Sequence, residues 1–183
     1  PTKQGYTFAG WTGTGLSVAT DPVTIANGST GEREYTATWT PNTNTAYKVE
    51  HYKAKLDEGY DLAEAETLYG TTGETTEATA KDYTNFTAQT ITQKTIAADG
   101  STVVEVYYTR NLYEIKFVID PEKGSTTSTT NPKVPFEAMP TAPDVENEPG
   151  YEFTGWDKSI VPATGTETYT AQFTLTNFPI TYD

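Results

Sequence analysis

Gly5-Tyr6-Thr7-Phe8-Ala9-Gly10-Trp11 occurs a second time as Gly150-Tyr151-Glu152-Phe153-Thr154-Gly155-Trp156, identical at five of seven positions. Further along, Tyr35-Thr36-Ala37-Thr38-Trp39-Thr40 returns as Tyr169-Thr170-Ala171-Gln172-Phe173-Thr174, identical at four of six. A third echo joins Tyr113-Glu114-Ile115-Lys116-Phe117 to Phe178-Pro179-Ile180-Thr181-Tyr182. Repetition at this level orders the chain before any single element is assigned. In the second copy the order is YEIKF, GYEFTGW, YTAQF. The chain therefore reads as opening inside one repeat, after its first strand, and stopping just after it begins another, as a segment of a longer array would.

Each quoted piece has strand character. Tyr113, Ile115, Phe117 and Ile119 alternate with Glu114, Lys116 and Val118, and Tyr35, Ala37 and Trp39 alternate with threonines. Period two of this kind predicts strands with one buried face. The glycine motif breaks the period, since Trp11 would point away from Tyr6 and Phe8 in a regular strand. Gly10 resolves this if it marks a bulge, which returns the next side chain to the first face. Gly155 repeats the spacing. The three aromatics of each copy are then expected in one core, with Trp11, Trp39, Trp156 and Phe173 largely buried. An exposed aromatic platform for sugars is the functional alternative.

Between the copies, residues 42–111 form a different unit, entered through the polar stretch Pro41-Asn42-Thr43-Asn44-Thr45. Tyr47-Lys48-Val49-Glu50-His51-Tyr52 predicts a strand that leaves at Asp57-Glu58-Gly59. Val103-Val104-Glu105-Val106-Tyr107-Tyr108, apolar on both faces, predicts a central strand entered from an Asp99-Gly100 turn. The only helical candidate there is Glu74–Asp82, weakened by Thr75, Thr76 and Thr79.

Composition narrows function. The 183 residues carry a net charge of −13, no cysteine, one histidine and a mean hydropathy of −0.58. An acidic chain lacks the basic footprint of nucleic-acid binding. Without cysteine there are no disulfides, thiolate metal sites or thiol nucleophiles. Abundant threonine and 13 tyrosines suit half-exposed strands. No run reaches the length of a membrane-spanning helix. An enzyme is disfavoured, and no cofactor is expected.

The residues that could carry chemistry each have a plainer reading. His51 has no recognisable nucleophile or orienting acid in sequence and reads as structural or solvated. Glu64 with Glu66, and Glu146 with Glu148, could act as acid–base pairs but suit surface charge better. Asp57-Glu58-Gly59, Ala98-Asp99-Gly100 and Asp120-Pro121-Glu122 are too sparse for a calcium loop and read as turns. Lys48, Lys116 and Asn111 are conceivable isopeptide partners, although nothing selects a triad. Asn27-Gly28-Ser29 and Asn85-Phe86-Thr87 match the N-glycosylation pattern. The threonine tract Gly124–Thr130 reads as a loop or hairpin arm.

The GYxFxGW…YTAxW/F pattern preceded by YxIxF resembles the Listeria–Bacteroides repeat, or internalin B-repeat. The middle unit, with YKVEHYKAKLDEGYDL, GTTGETTEATAKDYTNF and IAADGSTVVEVYYTRN, is similar to mucin-binding-protein-like repeats of bacterial surface proteins. The resemblance implies an α+β, β-rich fold of tandem small β-grasp (ubiquitin-like) modules in an elongated arrangement. It divides the chain into 1–41, the C-terminal part of a B-repeat-like module; 42–111, a mucin-binding-protein-like module; 112–176, a complete B-repeat-like module; and 177–183, the first strand of a following repeat. It implies a non-enzymatic, extracellular, wall-attached setting in a Gram-positive or gut bacterium, where the segment is a spacer presenting an adhesin. The alternative is binding of host mucin, glycan or surface protein by 42–111, with Tyr60, Tyr69, Tyr83 and Phe86 as candidate contacts. Head-to-tail strand exchange through 177–183 is a further expectation, with no nucleic acid and no membrane insertion.

Overall fold

The structure is a computed structural model that describes residues 1–128 and 131–176. The expected strand at 177–183 and the end of the threonine tract at Thr129-Thr130 lie outside the described residues. The chain divides into two compact units. The first comprises residues 1–53, 60–81 and 88–107; the second comprises 54–59, 82–87 and 108–183.

The described chain is all-β, with 46% strand and no helix, of the sandwich or half-barrel type. This corrects the α+β β-grasp expectation, which requires a helix across the sheet. Two local causes are visible. The Glu74–Asp82 stretch is extended, with Thr76 and Ala78 buried and their neighbours exposed. Its backbone bonds sideways: Thr76 N donates to Lys94 O at 2.8 Å, and Ile96 N donates to Glu74 O at 2.8 Å. The Gln93 amide completes the arrangement, accepting from Thr76 Oγ1 and Ala78 N and donating to Ala78 O at 2.7 Å. Such side-chain bonds offer the backbone an alternative to a helix. In the second unit the long crossover between the two paired parallel strands holds Pro121, Pro132, Pro135, Pro140, Pro143, Pro149 and Pro162. Proline lacks the donor and blocks the preceding turn, so no helix forms there.

In the first unit β1 (Tyr6–Gly13) pairs antiparallel with β2 (Tyr35–Pro41). A four-stranded sheet has the order β4-β3-β6-β5, formed by β3 (Thr45–Ala54), β4 (Tyr60–Gly70), β5 (Phe86–Ala88) and β6 (Val103–Arg110). The predicted central strand is internal in that order. The inner face of the first unit's part of the sheet carries Tyr47, Val49, His51, Val104 and Val106, all buried, with Ile96 and Ala78.

In the second unit β7 (Leu112–Val118), β9 (Lys133–Pro135), β11 (Tyr151–Trp156) and β12 (Glu167–Leu175) form a sheet of order β11-β12-β7-β9. The β7–β12 pair is parallel, with Phe117 opposite Tyr169, and the other pairs are antiparallel. A separate short ladder joins β8 (Gly124–Ser125) to β10 (Glu146–Asn147). Ile115, Phe117, Val134, Ala163 and Tyr169 make the core.

The two hairpins repeat one geometry. The β1–β2 register slips between Phe8 and Gly10, and the β11–β12 register slips between Phe153 and Gly155. Beyond the slip Trp11 stands opposite Ala37, and Trp156 opposite Ala171. The tryptophan thereby shares a face with the phenylalanine before it: ring centroids are 5.4 Å apart for Phe8–Trp11 and 5.5 Å for Phe153–Trp156. Trp39 and Phe173 complete each cluster, at 5.5 Å from Phe8 and 5.7 Å from Phe153. Trp11, Trp39, Trp156 and Phe173 are each partly covered, and Trp156 packs against the core of the second unit.

Gly10 and Gly155 have φ of +122° and +130°, a region that side chains rarely enter. A Cβ on Gly10 would lie 2.7 Å from Thr20 N, whereas one on Gly155 meets nothing within 4 Å. Gly155→Ala is expected to lower stability by about 1–3 kcal/mol through backbone strain alone. Gly10→Ala carries the same strain and a backbone clash, so it should cost more. Urea titration of both variants checks the order.

Candidate functional site

Tyrosines gather on the outer face of the first unit. Along β3 the side chains alternate, with Val49 and His51 inside and Glu50 and Tyr52 outside; along β6, Val104 and Val106 point in while Glu105 and Tyr107 point out. Tyr52 stacks on Tyr107 with centroids 5.3 Å apart and planes at 23°. Tyr60, the first residue of β4, meets Tyr107 edge-on at 4.8 Å and is 39% exposed. Its hydroxyl accepts a bond from Gln89 Nε2 at 2.9 Å.

Carboxylates border these rings. Tyr52 donates its hydroxyl to Glu50 Oε2 at 2.7 Å, and chiefly for that reason its pKa is pushed up to about 12. Tyr107 is also raised, first by burial and then by Glu105. The arrangement offers aromatic faces for stacking beside carboxylate acceptors, a combination suited to a ligand with an apolar face and hydroxyl or ammonium donors.

The four candidate contacts are not brought to one place. Tyr60 joins the cluster above. Tyr69 is 67% exposed and lies nine residues further along β4, about 30 Å of extended chain away. It borders a cleft of 190 Å³ with Tyr47, Glu74 and Glu77. Tyr83 and Phe86 belong to the second unit. Tyr83 packs edge-on against buried Tyr108 at 4.8 Å, and Phe86 packs against Phe136 at 5.9 Å with the Arg110 guanidinium over both phenylalanine rings. Arg110 also donates to the carbonyls of Ala54 and Phe136, each at 3.0 Å, so this group is a packing node. Sequence patterning does not single out Tyr52 and Tyr107. The signal that could is their alternation with buried valines on two strands, which matters only once β3 and β6 share a sheet.

Several of the other residues weighed for chemistry have local partners. His51 is fully buried, with Nε2 3.1 Å from Glu66 Oε1. Lys81 bridges Glu64 and Glu66. The Glu66 carboxyl lies below its ordinary value, first because of the His51 bond and then because of Lys81. Asp99 accepts from Ser101 N at 3.0 Å and from its hydroxyl, and Asp120 accepts from Glu122 N at 3.1 Å, as turn carboxylates do. Asn111 Oδ1 accepts from Thr87 Oγ1 at 2.7 Å. Among the described residues no group of three or more His, Asp or Glu is placed to hold a metal ion. Among them, too, no helix is long and apolar enough to cross a membrane.

Comparison with protein-family models gave no match, and comparison with curated proteins gave none.

Tyr52 titrates above the ordinary 10.0, so folding favours its protonated form. That contribution is complete below pH 10 and is lost as pH rises through about 12. Ultraviolet titration of tyrosinate should show Tyr52 ionising after the main group, with Tyr107 also late, and Glu50→Gln should bring Tyr52 back toward the main group.

Proposed function

We propose that this chain is a non-enzymatic repeat segment of an extracellular, wall-attached bacterial protein, acting as a spacer that presents an adhesive part of its parent. The observation that carries the reading is the parallel β7–β12 pair, the first and last strands of the second repeat. Tension applied at Leu112 and Leu175 draws these strands in opposite senses along their common ladder, so the bonds from Ile115 to Val118 are loaded together in shear. The reuse of one bulged aromatic hairpin at 6–41 and 151–175 adds support, since a spacer gains length by repeating one design. The bacterial surface setting rests on the resemblance of the repeat motifs and of 42–111.

Pulling the chain by its two ends in a single-molecule force experiment tests this. The second repeat should yield in one discrete rupture that releases about 3.5 Å of contour per residue. Its force should exceed that of the β1–β2 hairpin, whose bonds open one after another from Tyr6 and Pro41. A second repeat that yields at or below the hairpin's force contradicts the spacer reading.

The outward Tyr52–Tyr60–Tyr107 cluster favours a second reading, in which 42–111 binds a mucin glycan or a host protein. A glycan array and a mucin pull-down with the whole chain test it. Binding that falls by about tenfold or more in Tyr60→Ala and Tyr107→Ala supports it. Binding that those variants leave unchanged places the contact elsewhere.

A further inference from the structure

The two repeats differ at the edge of one strand. In the second, β12 is flanked by β11 on one side and β7 on the other. Phe117 of β7 lies 4.9 Å from Trp156 and stacks on Tyr169 at 5.4 Å, with planes at 19°. Phe117 is 2% exposed and Tyr169 is 1% exposed. In the first, the counterparts of Trp156 and Tyr169 are Trp11 and Tyr35. There β2 pairs with β1 alone among the described residues, and Tyr35 is only half-buried. Trp11 and Tyr35, with Val23 and Ile25, line an apolar cleft of 210 Å³, room for one aromatic side chain. Ile25 is 54% exposed.

We propose that the β2 edge and the cleft of Trp11, Val23, Ile25 and Tyr35 receive the segment Phe178–Tyr182 of a second copy of this chain, laid parallel to β2. The occupant follows from the filled repeat. There the seated strand is aromatic-x-Ile-x-aromatic, with Ile115 and Phe117 buried. Phe178-Pro179-Ile180-Thr181-Tyr182 is the chain's other segment with that pattern, and it puts Ile180 and Tyr182 at the two buried positions. Transferring the β7–β12 register sets Tyr182 opposite Tyr35, as Phe117 stands opposite Tyr169. Pro179 falls where Glu114 lies, one residue before that ladder begins at Ile115, so its missing N–H costs no bond to β2. Backbone pairing supplies affinity and the aromatic seat supplies register, as in other cases of strand addition. Donor and acceptor are different surfaces, so the contact is heterologous and association can continue past two copies. The contact does not depend on the spacer reading.

Sedimentation velocity of the whole chain over a concentration series tests the proposal. Mass should grow with concentration. A chain ending at Thr176 should stay single, and when mixed with the whole chain it should cap growth. Ile25→Asp, which puts a charge on the apolar wall of the cleft, should weaken association by about tenfold or more. A single species of 20.0 kDa at every concentration overturns the proposal, as does association that both changes leave intact.

Discussion

A glycine-centred bulge is the constraint on which the repeated part of this chain depends. Without it, Trp11 and Trp156 would face away from Phe8 and Phe153, and each hairpin would spread its aromatics over two faces. With it, three large rings fall on one side of each hairpin, which in the first copy is a two-stranded ribbon. A ribbon that short has little else to bury, so the rings supply most of its apolar contact. The positive φ at Gly10 and Gly155 explains why glycine stands between phenylalanine and tryptophan in both copies.

The same aromatic face becomes a proper core only when a further strand covers it. In the second repeat β7 does so, and Phe117, Ile115 and Tyr169 are almost wholly withdrawn from solvent. The parallel pairing requires a crossover that carries the chain from the end of β7 back to the start of β12. That crossover is proline-rich and irregular, yet Ala138 and Ala142 pack on the core from within it. Coverage by extended chain in place of a helix sets this architecture apart from the β-grasp that the motifs resemble.

Threonine plays a parallel part in the first unit. Thr45 and Thr72 share a buried bond of 2.6 Å, Thr76 donates to Gln93, and Thr102 accepts from Ala97 N at 2.8 Å while donating to Thr95 O. No buried side-chain nitrogen or oxygen among the described residues lacks a partner. A modest core can therefore hold polar side chains without the penalty of leaving them unpaired. These bonds also hold residues 72–78 against 93–96 in extended form, which is why a stretch of tolerable helix formers does not coil.

The elements legible in sequence were those set by short-range pattern. Alternation around Ile115 and around Ala37 marks strands because the two faces of a strand differ within a few residues, and the run from Val103 to Tyr108, apolar on both faces, marks an internal one. The bulges are equally local, since Gly10 and Gly155 interrupt that period in the same way. What the chain could not disclose was pairing at a distance. Whether 74–82 coils or extends is decided by Gln93 and Lys94, and whether the crossover supplies a helix is decided by prolines acting together with the core they border. The outer tyrosine cluster is likewise a property of the sheet: Tyr52, Tyr60 and Tyr107 lie far apart in sequence, and only the neighbouring of β3 and β6 makes them a surface. Local chemistry alone determined which residues turn inward. The tertiary structure decided which of those inward faces found a partner, because hydrogen bonds and ring contacts between distant segments form only once the strands that carry them are side by side.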